Sequence, residues 1–271
     1  MTLAQLEAAL RSAGIGEWRA EALILAEHFT GMSRARLLAC RDTELDSAPW
    51  SEALRRRIAR EPLTYITGVA YFMNEEYEVS PACLIPRRET ECLVEAAADI
   101  ISGRCAEVLD VCTGSGCSAI SLAALEPGVH ALGIDISAEA LSLAARNAVR
   151  NGTADRVRFE LSDMFVWNTD RRFDVITANP PYIRADEMRS LDAELSFEPE
   201  IALTDGGDGL SFVRELCSRY VGFLADGGVL LCEIGCAQGR EALDIAASHD
   251  LNAQILPDYS GLDRILRVTR R

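Results

Sequence analysis

Through its last two thirds the chain alternates two hydrophobic periods, and this limits its possible folds more than any other feature. Segments at 107–111, 129–134, 156–160, 173–178, 228–233, 252–256 and 264–268 read as strands, while stretches at 90–101, 118–125, 138–151, 210–223 and 238–247 repeat at helical spacing. Strands that take turns with helices of this length predict right-handed βαβ crossovers and a mostly parallel sheet with both faces covered. Only PDYSGLD, residues 257–263, separates the final two runs. A loop that short cannot carry a crossover, so the last strand should run antiparallel in an α/β fold built on seven strands.

Ahead of the alternation the pattern is helical only. Leu3, Leu6 and Leu10, then Leu23, Leu25, Ala26 and Phe29, then Leu54 and Ile58 keep helical spacing, broken by Gly14, Gly16, Gly31 and Pro49. This predicts a small bundle of about four helices. Between residues 61 and 86, β-forming residues mix with proline and glycine, which predicts a connector with a short hairpin. The expected division is a helical domain at 1–70, a hairpin and linker at 71–86, and the alternating domain at 87–271. Arg55, Arg56, Arg57 and Arg60 form the densest basic cluster, and at helical spacing in a polar stretch it reads first as a solvated helix face.

Composition narrows the chemistry. All 27 Lys-or-Arg positions are arginine, so amine chemistry such as a Schiff base, or a phosphate-loop lysine, is excluded. The net charge of −15 argues against the broad cationic surface that non-specific nucleic-acid binding needs. The nine cysteines contain no CxxC pair, and His28, His130 and His249 lie far apart without a ligand pattern, so no metal is expected. No apolar stretch approaches the roughly 18 residues of a membrane span. The opening MTLAQLEAALRSAG has no basic segment ahead of an apolar one, so no membrane association is expected, no secretory signal is recognised and a cytoplasmic location is expected.

Three strand ends carry acids. The run VLDVCTGSGCSAI, residues 108–120, places Asp110 at a strand tip and passes through Cys112, Thr113, Gly114, Ser115 and Gly116 into a helix. Glycines let backbone N–H groups approach a ligand, and the helix N-terminus favours negative charge there. The spacing Gly114-x-Gly116-x-x-Ala119 also fits a dinucleotide fingerprint. However, a carboxylate at position 110 would repel a pyrophosphate and suits an ammonium or a ribose. Asp135 follows Gly116 by 19 residues, where a carboxylate accepts from ribose hydroxyls. Asp163 with Met164 and Phe165 offers an acceptor beside apolar faces, as an adenine would require, although a solvated loop acid fits equally well.

Ala178-Asn179-Pro180-Pro181-Tyr182, directly after the apolar run FDVITA, is the sharpest signal. The Asn179 side-chain carbonyl and the Pro180 main-chain carbonyl are adjacent acceptors, and neither proline has an N–H to compete for them. Pro181 holds Pro180 extended, and Tyr182 offers a ring to a planar group. Two such acceptors fit one planar NH2 group and orient it without an acid or a base.

With these motifs in place, the chain resembles the S-adenosylmethionine-dependent methyltransferases of the Rossmann-like class I fold. Among them it is similar to the release-factor glutamine N5-methyltransferases (HemK/PrmC family). The likeness spans nearly the whole chain and includes PLTYITG at 62–68, LIPRRETE at 84–91, the glycine loop, Asn179 to Tyr182, and Phe197-Glu198-Pro199 with Ala202-Leu203. Cys112 stands where many members have glycine, and Arg88 where many have proline. The resemblance implies methyl transfer from S-adenosylmethionine to the side-chain amide of the glutamine in the Gly-Gly-Gln motif of peptide-chain release factors. It implies that Asn179, Pro180 and Tyr182 are catalytic, and that Pro181, Phe197 and Glu198 border the acceptor. Asp110, the loop from Cys112 to Gly116, Asp135, Asp163, Met164 and Asn179 would hold the cofactor, and the helical domain would dock the release factor. The Asn-Pro-Pro-Tyr tetrapeptide is shared with adenine N6-methyltransferases acting on DNA or RNA, and the acidic charge balance weighs against that alternative, so no direct nucleic-acid partner is expected.

Overall fold

The computed structural model describes residues 1–44 and 48–271. The chain forms two compact units, Met1–Val69 with Asp192–Phe197, and Ala70–Leu191 with Glu198–Arg271.

The first unit holds α1 (Leu3–Ser12), α2 (Trp18–Thr30), α3 (Arg34–Ala39), α4 (Ala48–Ile58) and α5 (Leu63–Thr67). Thr2 opens α1 with a reciprocal cap: its hydroxyl accepts from Gln5 N, and the Gln5 side chain accepts from Thr2 N. Leu3, Leu6, Leu10, Leu25, Leu37 and Trp50 fill the core, the apolar stripe that the helical spacing predicts. The four arginines that looked like a basic face are all engaged. Arg55 pairs with Glu52 and Arg56 with Glu61. Arg57 pairs with Glu21 and Glu194, and Arg60 donates to Ala13 O and reaches Glu194.

After the hairpin β1 (Val69–Phe72) and β2 (Glu75–Glu78), the second unit runs α6 (Arg88–Ile101), β3 (Ala106–Val111), α7 (Cys117–Leu125), β4 (Val129–Asp135), α8 (Ala138–Arg150), β5 (Val157–Leu161) and β6 (Phe173–Ala178). It continues with α9 (Ser211–Ser218), β7 (Leu224–Glu233), α10 (Gly239–Ser248), β8 (Asn252–Pro257) and β9 (Asp263–Thr269). The seven strands lie in the order β5-β4-β3-β6-β7-β9-β8, and β9 runs antiparallel to both neighbours. This is the mostly parallel sheet that the alternation predicts. One apolar core packs Phe173, Ile176 and Leu230 against α9 and α10, and the other packs Val108, Val175 and Leu231 against α6 and α7.

The single helix expected over 210–223 is instead α9 followed by a 3-10 turn at Tyr220–Phe223. Tyr220 stacks on Trp167 at 6.0 Å and meets Phe223 edge-on at 5.4 Å. An aromatic cluster buried in this way fixes the chain direction where an extended α-helix would carry those rings past the sheet.

Strand order turns outward in both directions from β3, with β4 on one side and β6 on the other. In a doubly wound sheet the crevice above the carboxyl ends opens at this switch point. The register pairs Asp110 with both Gly133 and Thr177, Val111 with Ala178, and Ala178 with Cys232. Cys112, Asp135, Asn179 and Glu233, one or two residues further on, therefore end on the same edge of the sheet.

Candidate active site

Above that edge lies a cavity of about 330 Å³, bounded by Asp110, the loop from Cys112 to Ser115, Asp135, Asp163, Met164, Asn179 and Pro181. It also takes in Cys83, Leu84, Pro86, Arg87 and Thr90 from the segment leading into α6, and Ile136, Ile201 and Phe212. Gly116, Pro180, Tyr182, Phe197 and Glu198 lie outside this wall, and Phe197 belongs to the segment that clusters with the helical unit.

Asp110 is 2% exposed, and its carboxylate accepts from the Thr113 hydroxyl at 2.5 Å and the Thr177 hydroxyl at 2.8 Å. No arginine pairs with it among the described residues. Burial therefore pushes its carboxyl up to about 6, against the pull of the two hydroxyls. Asp135 accepts from Gly114 N and Ser137 N, both at 2.9 Å, and burial raises this carboxyl as well. One N–H of the glycine loop is thus already turned to Asp135, joining the two binding segments. Asp163 accepts from Phe165 N at 2.9 Å, while the Met164 carbonyl is held by the Tyr220 hydroxyl at the same distance.

Gly116 caps α7 at φ +80°, and a Cβ there would come within 2.9 Å of Ile120 and 3.1 Å of Ala144. Only glycine lets the helix start this close to its neighbours. Cys112 adopts φ +58°, the left-handed region that glycine takes without strain. Asn147 braces the loop from outside, donating to Ser115 O at 3.0 Å and Glu78 O at 3.1 Å.

Asn179 donates through Nδ2 to Thr90 Oγ1 at 2.9 Å. Its Oδ1 is buried and accepts from no group among the described residues. A buried, unmatched carbonyl is costly to leave alone, and such a group is an acceptor set for a donor the protein does not supply. Tyr182 does not turn toward the cavity. Its hydroxyl bonds Glu233, and its main-chain carbonyl accepts from Gln238 Nε2 at 2.9 Å. Glu198 is likewise committed, accepting from Ile85 N at 3.0 Å and from Arg87. Its carboxylate fastens the LIPRRETE segment to the loop after the tetrapeptide.

Sequence reasoning passed over Glu233 and Gln238. Glu233 ends β7 as Asp135 ends β4, so strand-tip position was the signal that could have found it. Gln238 carries no such mark.

The amino-terminal segment, residues 2–68, matches the PrmC N-terminal domain family, and residues 104–204 match a methyltransferase domain family. A release factor glutamine methyltransferase of Cereibacter sphaeroides is 40% identical over 262 residues, covering 95% of this chain and 93% of the relative. One from Moorella thermoacetica is 39% identical over 269 residues, covering 97% and 95%. This chain belongs to the release factor glutamine methyltransferase family.

Solved structures add the fold alone. The ribosomal protein L11 methylase of Lactobacillus delbrueckii subsp. bulgaricus superposes with a TM-score of 0.52 at 20% identity, covering 71% of this chain and 84% of that one. The hMettl16 catalytic domain, solved with MAT2A 3'UTR hairpin 1, gives 0.58 at 15% identity, covering 83% and 81%. The chain is therefore a class I methyltransferase in sheet order, with an amino-terminal domain of its own family. Among the described residues no helix is long and apolar enough to cross a membrane.

Proposed function

We propose that this protein transfers a methyl group from S-adenosylmethionine to the side-chain amide nitrogen, N5, of the glutamine in the Gly-Gly-Gln motif of peptide-chain release factors. The observation that carries the reading is the unmatched Asn179 Oδ1 in the wall of the cavity of a release factor glutamine methyltransferase family member.

The residues fit the cofactor. Asp110 is a buried carboxylate with neutral donors only, the Thr113 and Thr177 hydroxyls and the Ala119 N–H, so a cationic ammonium is the partner its raised carboxyl lacks. Asp135, at the tip of the next strand, has a lone pair left for a ribose hydroxyl after accepting from the Gly114, Ser137 and Ile136 N–H groups. Asp163 and Met164 would take the adenine. When bound, S-adenosylmethionine supplies an electrophilic methyl group on a sulfonium.

An amide nitrogen is a weak nucleophile because its lone pair is delocalised. Asn179 Oδ1 and the Pro180 carbonyl would accept its two N–H bonds, which aims the nitrogen and stabilises positive charge as it develops there. Positioning and local polarisation are then the protein's contribution to the step. The N–C bond would form as the sulfonium–methyl bond breaks, S-adenosylhomocysteine would leave as the neutral thioether, and the surplus amide proton would pass to solvent after transfer. No strong general base is therefore required. The helical unit is the proposed docking surface for the release factor.

The test is co-expression with a release factor followed by mass spectrometry of the Gly-Gly-Gln peptide. One added methyl on the glutamine is expected. A tritiated-cofactor assay in which DNA or RNA is labelled and the release factor is not would overturn the reading in favour of an adenine acceptor.

A further inference from the structure

A hydroxyl carries one proton, and at Thr90 that proton is spent. Thr90 sits in the first turn of α6, 1% exposed, and its Oγ1 donates to Glu233 Oε2 at 2.6 Å. Glu233 is also 1% exposed and accepts from the Tyr182 hydroxyl as well. Burial pushes the Glu233 carboxyl up to about 7, so above that pH it is ionised and takes the proton of each hydroxyl. Toward Asn179, at 2.9 Å, Thr90 can therefore act only as an acceptor, so the edge of the Asn179 amide that faces it must be the NH2 edge. The carbonyl edge is left as the unmatched one.

The two edges of an asparagine amide have the same shape, and packing alone does not choose between them. With the NH2 edge exposed to the acceptor site, Asn179 would present donors to a substrate NH2 and repel it. From these contacts we infer that Thr90 and Glu233 are positioning residues that lock the Asn179 amide in the one orientation that presents its carbonyl to the acceptor NH2.

The same carboxylate holds Tyr182, three residues past Asn179, so one buried group braces both ends of the tetrapeptide. Gln238 completes the brace from the residue just before α10, donating to Tyr182 O at 2.9 Å and Gly209 O at 3.3 Å while Gly235 N donates to its Oε1 at 2.8 Å. The contacts span three separate parts of the chain: Thr90 from the helix after the hairpin, Asn179 from the end of β6, and Glu233 from the end of β7.

This inference rests on the proposed NH2 acceptor, and its test separates the two. Thr90→Val keeps the shape of the side chain and removes the hydroxyl, whereas Thr90→Ser keeps the hydroxyl and removes a methyl. With release factor as substrate, Thr90→Val should lower kcat on the order of 10²-fold, the size of losing one oriented transition-state hydrogen bond. Its affinity for S-adenosylhomocysteine by calorimetry should stay within about twofold, and Thr90→Ser should recover most of kcat. A general loosening of the fold would weaken cofactor binding with kcat and would not be rescued by serine.

A second readout needs no turnover. In protein labelled with 15N asparagine, the Asn179 side-chain resonance, assigned by its disappearance in Asn179→Ala, should move in Thr90→Val and return in Thr90→Ser. Wild-type kcat in Thr90→Val, or serine as poor as valine, overturns the inference. If the wild-type protein fails to methylate release factor, the functional reading falls, and the resonance pattern still decides whether Thr90 sets the amide.

Discussion

In the helical unit the Arg57 side chain, 8% exposed, meets Glu21 at 2.6 Å and Glu194 at 3.1 Å. In the sheet unit Asp110 is buried at least as deeply, yet its neighbours are the hydroxyls of Thr113 and Thr177. One buried charge is matched by opposite charges on its own chain, and the other is supported by neutral donors that do not cancel it. Asn179 Oδ1 extends the contrast, since it has no partner at all among the described residues. Charges that build a fold are closed on themselves, whereas those at the strand tips are left open, at a standing cost, for something the chain does not contain.

The comparison breaks most visibly at Asn179. Replacing it with alanine removes the open acceptor and nothing that holds the cofactor acids in place. Methyl transfer should fall by about 10³-fold, near the upper range for loss of one oriented group. Affinity for S-adenosylhomocysteine, read by calorimetry, should change by no more than a few fold. A parallel loss of cofactor affinity would mean that, of the two roles the resemblance implies for Asn179, holding the cofactor dominates and orienting the acceptor does not.

The opposite result is expected at Arg57. Arg57→Ala strands two glutamates that share one buried cation, and breaking a buried pair from one side costs about 3 to 5 kcal/mol. Urea unfolding should show that loss, while kcat measured on a short Gly-Gly-Gln peptide at a temperature where the variant is folded should stay unchanged. An unaltered unfolding midpoint would mean that the ion pairs are not what ties Glu194 to the helices.

How far each region could be read in the sequence follows from the same contrast. The central strands were legible because burial on both faces writes a largely apolar run, and β6 starts at Phe173 and ends at Ala178 as the pattern predicts. The break after Ser218 was not, since Tyr220, Val221 and Phe223 are apolar in either conformation and only their packing on Trp167 separates a helix from a turn. Nor was the grouping of Asp192–Phe197 with the helical unit, where Arg57 meets Glu194 across 137 residues of sequence.

In the site, Asp110 and Asn179 could be singled out because a polar residue ending an apolar strand is conspicuous by itself. The bond between Thr90 and Glu233 joins residues 143 apart, and no local pattern announces it. Glu198 is placed beside the acceptor by resemblance, and what the sequence does not announce is that its carboxylate accepts from Arg87 and from Ile85 N, more than a hundred residues earlier in the chain.

A smaller effect, visible only against pH, sharpens the contrast at Asp110. Burial holds its carboxyl at about 6 in the folded protein, above the ordinary value of 3.8 that it regains on unfolding. The stability it contributes is thus fully present below 3.8 and is lost as pH rises through 6, by about 3 kcal/mol in all. Asp110→Asn should flatten that part of the pH dependence in urea unfolding of the cofactor-free protein. It should also weaken S-adenosylhomocysteine binding, because the open charge is what meets the ammonium. Unchanged binding would show that the ammonium is held elsewhere.

The smallest effect is expected at Arg55, whose side chain is 73% exposed and pairs with Glu52 three residues earlier on the same helix. Its geometry is as good as that of Arg57, with donors at 2.9 and 2.5 Å. Contact distance alone would therefore rank the two pairs together. Water already solvates both partners of the outer pair, so holding them together gains little and costs side-chain freedom. Arg55→Ala should leave the melting temperature unchanged within error, and added salt should not separate variant from wild type. A melting temperature lowered as far as in Arg57→Ala would mean that burial is not what distinguishes the closed charges of the helical unit from its surface pairs.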